Sequence, residues 1–281
     1  MKNSFNRRDF LKVAGLAVGG GLVTTTSYLA INNESDDPVV DRVSLAIKDL
    51  HPALEGLTIL QITDIHLYPM TQPALVEKAV NMANGLKPDL VVLTGDYVWQ
   101  ELDAIDELAP ILAGLNAKHG VFSTLGNHDY WLNAGVVTEV MESAGLPVLI
   151  NQGVSIQHGK GSVYIAGLDD GWSGIPDLNK TLDKTKSNEP VILLCHEPDL
   201  ADQYSLDGRV DVQLSGHTHG GQIRVPGIGA LILPYLGRKY DIGLYRVNDM
   251  LLYTNRGLGV ISEPVRFNCP PEISQFVLHS A

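Results

Sequence analysis

The chain has little cysteine and a shortage of positive charge, and each deficit excludes a class of protein. Only two cysteines, Cys195 and Cys269, occur in 281 residues. No disulfide framework is therefore specified, and the sequence leaves open whether the two pair. Lysine and arginine total 20 against 32 acidic residues, a net charge of −12, which argues against a nucleic-acid partner. An acidic protein acting on an anionic substrate needs local positive charge, which bound metal cations can supply.

The amino terminus has the pattern of an export signal. Asn6-Arg7-Arg8-Asp9-Phe10-Leu11-Lys12 precedes an uncharged, moderately apolar run over residues 13–33. The arginine pair and the low hydrophobicity resemble a twin-arginine signal, a route for proteins that fold before export. The alternative is an ordinary membrane anchor with a chance arginine pair. No clean cleavage site follows, so an uncleaved anchor with the body outside the cytoplasm stays open.

We therefore predict two regions and a location. Residues 1–36 form the signal or anchor and a solvated linker, and residues 37–281 form the folded domain. With 44% hydrophobic residues and no internal repeat, this body can bury a substantial core as one large domain. The predicted location is periplasmic or otherwise extracytoplasmic, with attachment to the membrane or cell envelope through the amino terminus as an open alternative.

Apolar runs alternate with polar clusters along the body. We predict strands over residues 39–47, 57–62, 89–93, 121–125, 148–150, 154–157, 162–166, 191–195, 210–214, 243–247, 251–254 and 273–278. Helices are predicted from a cap at Thr71 to about residue 86, over 103–115, from a cap at Asn133 to about 145, and near 176–186. Strands and helices alternate early and strands dominate late. This order predicts an α/β protein, a four-layer α/β/β/α sandwich of two mixed sheets flanked by helices.

Two histidines, His217 and His219, stand where a predicted strand gives way to a glycine-rich loop. Such a pair alone is weak evidence for a metal site, but four more polar clusters each follow an apolar run. They are Asp64-Ile65-His66, Gly95-Asp96, Gly126-Asn127-His128-Asp129 and His196. Carboxylate, imidazole and amide ligands without a thiolate suit Mn, Zn, Fe or Mg. Two such cations can lie roughly 3.5–4 Å apart only if an anion bridges them, so one carboxylate should be shared.

In this order and spacing, the clusters resemble the calcineurin-like metallophosphoesterase superfamily over about residues 57–222. The family pattern is Asp-x-His, Gly-Asp, Gly-Asn-His-Asp or Glu, a His, and Gly-His-x-His. Four features resemble more narrowly its branch of exported, membrane-associated bacterial phosphodiesterases. These are the twin-arginine start and the segments Cys195-His196-Glu197-Pro198, Ser215-Gly216-His217-Thr218-His219-Gly220-Gly221-Gln222 and Asn255-Arg256-Gly257-Leu258-Gly259.

The resemblance implies the metallo-dependent phosphatase fold and a centre of two divalent ions. Asp64, His66 and His219 would bind the first ion, and Asn127, His196 and His217 the second, while Asp96 would bridge both. A metal-bridging hydroxide would attack the phosphorus. Two divalent ions carry four positive charges. Two carboxylates and one hydroxide neutralise three of them, and the remaining positive charge matches the single negative charge of a phosphodiester.

The resemblance also implies catalytic roles for His128 and Asp129. His128 would protonate the leaving group, and Asp129 would orient its ring or hold it protonated. The alternative for His128 is a structural histidine beside the metals. For Arg256 and Arg266 the choice lies between a phosphate clamp and structural ion pairs, and for Trp99, Trp131 and Trp172 between substrate contact and packing. The histidines outside the clusters are interpreted as exposed or capping residues: His51, His119, His158 and His279.

The predicted function is thus a binuclear metal-dependent phosphodiesterase that acts outside the cytoplasm. Its partner would be a phosphoester substrate, for which a lipid or cell-envelope origin is one expectation. The alternatives are a phosphomonoesterase or lipid-nucleotide pyrophosphatase of the same superfamily, and a non-catalytic metal-binding scaffold. The natural substrate, the native metals and the oligomeric state are left open by the sequence.

Overall fold

The computed structural model describes residues 34–281, and the predicted export segment over residues 1–33 lies outside the described residues. The strands are β1 (Val39–Ile47), β2 (Thr58–Ile62), β3 (Leu90–Thr94), β4 (Val121–Thr124), β5 (Gln152–His158), β6 (Gly161–Gly167), β7 (Val191–Leu194), β8 (Val212–Ser215), β9 (Arg224–Val225), β10 (Gly229–Ala230), β11 (Gly243–Val247), β12 (Met250–Thr254) and β13 (Glu272–Ser280). The helices are α1 (Pro73–Gly85), α2 (Ala104–Leu112), α3 (Asn127–Leu132), α4 (Ala134–Ser143), α5 (Leu178–Thr181) and α6 (Ala201–Tyr204). Short 3-10 helices lie at Pro52–Leu54, Pro198–Leu200 and His219–Gly221.

The strands form two large mixed sheets. Sheet I has the order β1-β13-β2-β3-β4, and sheet II has the order β11-β12-β8-β7-β6-β5. In sheet I, β2, β3 and β4 run parallel to one another, and in sheet II the same holds for β6, β7 and β8. Because parallel neighbours end at the same edge, the loops after β2, β3 and β4 meet, as do those after β7 and β8.

Alternate residues on the central strands pack on opposite faces, which defines the layers. Leu90 and Val92 of β3 share one buried cluster with Ile192 of β7, so this cluster lies between the two sheets. Val91 belongs to a second cluster with helices α1, α2 and α4. Leu193 belongs to a third on the outer face of sheet II. The predicted α/β/β/α sandwich is confirmed.

The helical layer on sheet II is thinner than predicted. The helix expected near residues 176–186 shrinks to the four residues of α5, which Asp177 caps by accepting a hydrogen bond from the Lys180 amide at 3.0 Å. The following residues, Asp183-Lys184-Thr185-Lys186-Ser187-Asn188, are polar, so no apolar stripe is available to extend the helix across the sheet.

Two further local predictions were wrong. The strand expected at 148–150 is reduced to one bridge from Val148 to Ser123, and the chain then turns at Asn151, whose φ is +51°. Thr71 does not cap α1, because its Oγ1 accepts a hydrogen bond from the Val260 amide at 3.2 Å and Gln72 is the N-cap residue. The cap predicted at Asn133 is confirmed.

The start of the described chain is attached to the body rather than solvated. The Glu34 amide donates to the Arg266 carbonyl at 3.0 Å, and the Glu34 carboxylate accepts from the Cys269 amide at 3.0 Å. Cys195 and Cys269 are both buried and both free. Over residues 34–281, no helix has the length and apolar character needed to cross a membrane.

Candidate metal centre

Side chains from five loops converge at one edge of the sandwich. Asp64 and His66 follow β2, Asp96 follows β3, and Asn127 opens helix α3 directly after β4. His196 follows β7 in the opposite sheet. His217 and His219 follow β8. The structure therefore brings together all seven residues for which the sequence predicts metal binding, and each is at most 4% exposed.

The potential ligand atoms form overlapping groups of three, each with all atoms within 4.8 Å of one another. One group is Asp64, His66 and His219, and another is Asp96, His196 and His217. Asp96 lies between them, since its Oδ2 is 3.4 Å from His66 Nε2 and 3.1 Å from His196 Nε2. This is the position that a shared carboxylate between two ions requires.

Backbone carbonyls fix which ring nitrogen His196 and His217 present to the pocket. The Nδ1–H of His196 donates to the Thr94 carbonyl at 2.7 Å, which leaves Nε2 with a lone pair. The Nε2–H of His217 donates to the Tyr235 carbonyl at 2.7 Å, which leaves Nδ1. Metal-bound histidines commonly use the second ring nitrogen in this way. The tautomers therefore suit metal ligands on both rings.

Two buried potential ligand atoms in the pocket lack a hydrogen-bond partner and two imidazole nitrogens face each other, which is the strongest sign that a cation fits. His196 Nε2 and Asn127 Oδ1 have no hydrogen-bond partner. His66 Nε2 and His219 Nε2 are 3.0 Å apart. An unpaired buried polar atom is costly, whereas a divalent cation would satisfy these nitrogens and oxygens together. The donor set of imidazole, carboxylate and amide fits a pair of divalent metal ions.

The pKa values of the candidate ligands also indicate that the pocket needs positive charge. Burial lowers the pKa of His217 to about 3 and raises that of Asp64. Burial also opposes charge on His196 and Asp96. Their mutual attraction outweighs it, so the pKa of His196 lies well above its ordinary value and that of Asp96 well below. The pocket thus holds a carboxylate that needs a cation beside it, and a metal can take the place of the proton.

The backbone is strained where it presents the ligands. Five of the seven residues have left-handed φ values between +48° and +71°: Asp64, His66, Asp96, His217 and His219. A non-glycine residue in this region costs on the order of 1–3 kcal/mol and persists where surrounding structure imposes it. The packed sheets hold these turns in place, so positioning the ligands lowers the net stability of the fold.

Two glycines permit the loops to approach each other. A Cβ atom at Gly126 would collide with the Asp96 carboxylate, and one at Gly216 would collide with the carboxylate of Asp64. Any side chain at either position would therefore displace a candidate ligand. This explains why the clusters that contain Asn127 and His217 each begin with glycine.

His128 lies at the mouth of the pocket and is partly exposed. Its ring contacts those of His66, Trp99 and Trp131, with centroids 4.5–4.8 Å apart. Burial lowers its pKa to about 4, although Asp96 acts in the opposite direction. His128 also falls within ligand distance of His66 and Asp96, an arrangement that the sequence did not predict.

Asp129 has partners other than the predicted one. Its Oδ2 accepts hydrogen bonds from the amides of Asp96 and Gly126, and its Oδ1 accepts from the Tyr97 amide, all at 2.9 Å. Among residues 34–281, no hydrogen bond joins this carboxylate to the His128 ring, so the contact expected between them is not formed. Asp129 joins the loop after β3 to the start of α3. Burial, followed by repulsion from Asp96, raises the pKa of Asp129 to about 7.

An aromatic rim surrounds the mouth. Trp131 packs against Trp172 with centroids 5.1 Å apart, and Trp172 packs against Tyr235 at 5.5 Å. Trp131, Trp172 and Tyr235 are 52%, 40% and 55% exposed, so they are available to a ligand. Glu197 fixes part of this rim, since its carboxylate accepts from the Trp172 amide at 3.2 Å. The sequence did not predict a role for Tyr235, because no motif marks it. Its ring forms part of the rim, and its backbone carbonyl accepts the hydrogen bond from His217.

The two arginines considered as phosphate clamps are structural. Arg266 is fully buried and donates to the carbonyls of Cys269 and Gly257 at 3.0 and 3.1 Å. Arg256 forms an ion pair with Glu272 at 2.7 Å. Burial lowers the pKa of Arg266, and its carbonyl partners offset that cost. Positive charge for an anionic substrate is therefore not supplied by either side chain.

The fold and the site together define a metal-dependent phosphoester hydrolase. A family model described as calcineurin-like phosphoesterase matches residues 57–221, the region that contains all seven candidate ligands. The chain belongs to this family, as its resemblance predicted.

Relatives of known sequence agree with this assignment. The chain is 34% identical to the "Uncharacterized metallophosphoesterase YkuE" of Bacillus subtilis, over 98% of each chain. It is 32% identical to the "Phosphodiesterase YaeI" of Escherichia coli, over 78% of this chain and 81% of the relative. A solved structure of a proposed 5′-nucleotidase from Staphylococcus aureus matches with a TM-score of 0.50 and 12% identity, over 80% of this chain and 55% of that one. The last similarity concerns the fold alone.

Proposed function

We propose that the protein hydrolyses phosphodiesters at a centre of two divalent metal ions. Asp64, His66 and His219 would hold one ion, Asn127, His196 and His217 would hold the other, and Asp96 would be shared by both. The observation that carries this proposal is the position of the Asp96 carboxylate between two buried histidine groups. When bound, such ions supply Lewis acidity and lower the pKa of water.

The residues of the chain then perform the remaining tasks. His128 stands at the mouth, where it becomes protonated when substrate binds and then donates the proton to the departing oxygen. Asp129 keeps the Asp96 loop and helix α3 in register through its three amide contacts. Trp131, Trp172 and Tyr235 flank the entrance and contact the organic part of the ester. A diester is favoured because its single negative charge matches the net charge of the loaded centre.

Location is part of the proposal. We infer that residues 1–36 direct the protein out of the cytoplasm by the twin-arginine route, with the body either released or held at the membrane or cell envelope. The support is the Arg7-Arg8-Asp9-Phe10-Leu11-Lys12 pattern ahead of an uncharged run. A substrate of cell-envelope origin, such as a lipid phosphoester, follows from that location.

A direct assay tests the catalytic proposal. The full-length protein is incubated with Mn²⁺ or with a chelator, on an aryl phosphodiester, an aryl phosphomonoester and a nucleotide pyrophosphate. We expect Mn²⁺-dependent turnover that is greatest on the diester and is lost with the chelator. The Asp96→Asn variant serves as the inactive control because it removes the charge shared by the two ion positions.

Each other outcome has a defined meaning. Greater turnover of the monoester or the pyrophosphate would replace the diester assignment with one of the two alternative activities. Metal binding without any turnover would support the non-catalytic scaffold. Turnover that survives in the chelator, or in Asp96→Asn, would contradict the metal centre itself.

A further inference from the structure

Four histidines lie outside the metal centre, and the structure explains only two of them by ordinary local contacts. His51 caps a 3-10 helix, since its Nδ1 accepts from the Ala53 amide at 3.1 Å. His279 Nδ1 pairs with the Glu55 carboxylate at 2.8 Å. His119 and His158 instead face each other, although they lie 39 residues apart in the sequence, His119 just before β4 of sheet I and His158 at the end of β5 of sheet II.

These two rings meet a carboxylate in a compact cluster. His119 Nε2 and His158 Nδ1 are 3.0 Å apart, the same separation as that of His66 Nε2 and His219 Nε2 in the metal centre. Ligand atoms of Asp89, His119 and His158 all lie within 4.8 Å of one another. Zinc–nitrogen bonds of 2.0–2.1 Å place two nitrogens of a tetrahedral site about 3.3 Å apart. The cluster therefore needs little adjustment to hold one ion.

The carboxylate of Asp89 is held in place before any ion binds. Its Oδ2 accepts from the Thr58 amide and the Thr58 hydroxyl, both at 2.9 Å, while its Oδ1 lies 3.9 Å from Lys118 Nζ. The His119 amide donates to the Asp89 carbonyl at 2.8 Å. The Asp89 carboxylate is thus fixed by Thr58, and the His119 backbone is held beside Asp89, which reduces the entropy cost of assembling the site.

The cluster is separate from the catalytic pocket. Asp89 directly precedes β3 and His119 precedes β4, whereas the catalytic residues follow the other ends of these strands. At about 3.3 Å per strand residue, the two sites lie roughly 15–20 Å apart. His158 ends β5, the edge strand of sheet II, so an ion here would connect the two sheets at the end opposite to the catalytic centre.

We propose that Asp89, His119 and His158 form an additional metal site that binds Zn²⁺ or a similar borderline divalent ion. Two imidazoles and one carboxylate are a ligand set that zinc prefers over magnesium or calcium, which favour sites made of oxygen ligands. All three residues are partly exposed, so water completes the coordination and the ion exchanges with solvent. The site clamps the β5–β6 hairpin to sheet I.

Zinc content of the full-length protein tests this inference. The protein is stripped with a chelator, equilibrated with Zn²⁺, separated from free metal and analysed by elemental mass spectrometry. We expect the His158→Ala variant to retain one zinc ion fewer per chain than the parent, with unchanged Mn²⁺-dependent diester turnover. His51→Ala is the matched control, because it removes a nearby histidine outside the cluster and should leave the zinc content unchanged.

A second variant tests whether the positive charge beside Asp89 weakens zinc binding, and it leaves all three ligands unchanged. Lys118→Gln removes the cation beside Asp89, so the additional site should fill at about two- to fivefold lower free zinc than in the parent. Equal zinc content in His158→Ala and the parent would show that the two rings only form a hydrogen bond with each other. Unchanged zinc affinity in Lys118→Gln would also overturn the assignment, even if His158→Ala failed to fold.

Discussion

At the scale of single residues, the position of His128 fits a general acid, but its pKa in the absence of substrate is too low for that role. The pKa lies at about 4 because the ring is largely buried, so the imidazole is neutral at pH 7. A bound phosphoester places negative charge at the pocket mouth, which raises the pKa of a nearby histidine. We therefore expect His128 to become protonated only with substrate present.

Replacing His128 by alanine separates acid catalysis from metal binding. Turnover should fall by roughly 10² to 10⁴ for a diester with an alkoxide leaving group, because that group needs a proton. The loss should be much smaller for a nitrophenolate leaving group, which departs without one. Metal content, measured on the same samples, should equal that of the parent.

The same experiment identifies the two alternatives for His128. An equal loss of turnover with both leaving groups would indicate that the ring positions the substrate rather than donating a proton. A loss of metal would indicate that His128 serves as a ligand beside His66 and Asp96, whose potential ligand atoms lie within reach of its ring.

At the scale of elements, helix α3 depends on one carboxylate. Asp129 accepts three backbone hydrogen bonds that tie α3 to the loop after β3. In Asp129→Asn, an NH₂ group replaces one oxygen and faces amide donors, so the variant should lose about 1–3 kcal/mol of unfolding free energy. Chemical denaturation in the presence of metal measures this loss.

Asp129→Glu is the matched comparison, since it keeps the charge but moves the oxygens away from the three amides. We expect it to be destabilised as well, because geometry and not charge alone makes these contacts. If Asp129→Asn kept full stability but lost turnover, the result would support the role that the sequence predicts for Asp129, which is to orient the His128 ring or hold it protonated.

Most elements could be predicted because their signals are local. The short apolar runs at β2, β3, β7 and β8 are bounded by glycine or polar residues, and each ends in a potential metal ligand. The end of each of these strands and the identity of the ligand that follows it can therefore be predicted from the same stretch of sequence. The separation of the strands into two facing sheets follows from the change to strand-rich sequence after β5.

The missed features depend on contacts between distant parts of the chain. Helix α3 was overlooked because Gly126-Asn127-His128-Asp129 resembles a loop, and only the back-bonding carboxylate of Asp129 makes it the first turn of a helix. The capping role given to Thr71 failed because the Val260 amide, 189 residues away, binds its hydroxyl. The pairing of His119 with His158 likewise depends on how the two sheets pack.

At the scale of the whole molecule, the metal centre links the two sheets. Sheet I supplies the ligands after β2, β3 and β4, while sheet II supplies those after β7 and β8. Each of the two proposed ion positions draws on both sheets, since the Asp64 group includes His219 and the Asp96 group includes His196 and His217. Assembly of the centre thus requires a folded sandwich, and the twin-arginine route proposed for the chain is one that carries proteins after they fold.

Replacement of Arg7 and Arg8 by lysine tests that route. The twin-arginine reading predicts that most of the doubly substituted protein stays in the cytoplasm, whereas the parent is found outside it. Fractionation of cells, followed by quantification of the protein in each fraction, measures the difference. The retained protein should keep its metal-dependent diester turnover, because the substitutions lie before the folded body. An ordinary membrane anchor would tolerate lysine as well as arginine, since both are basic, so unchanged export would refute the twin-arginine assignment and leave the catalytic proposal intact.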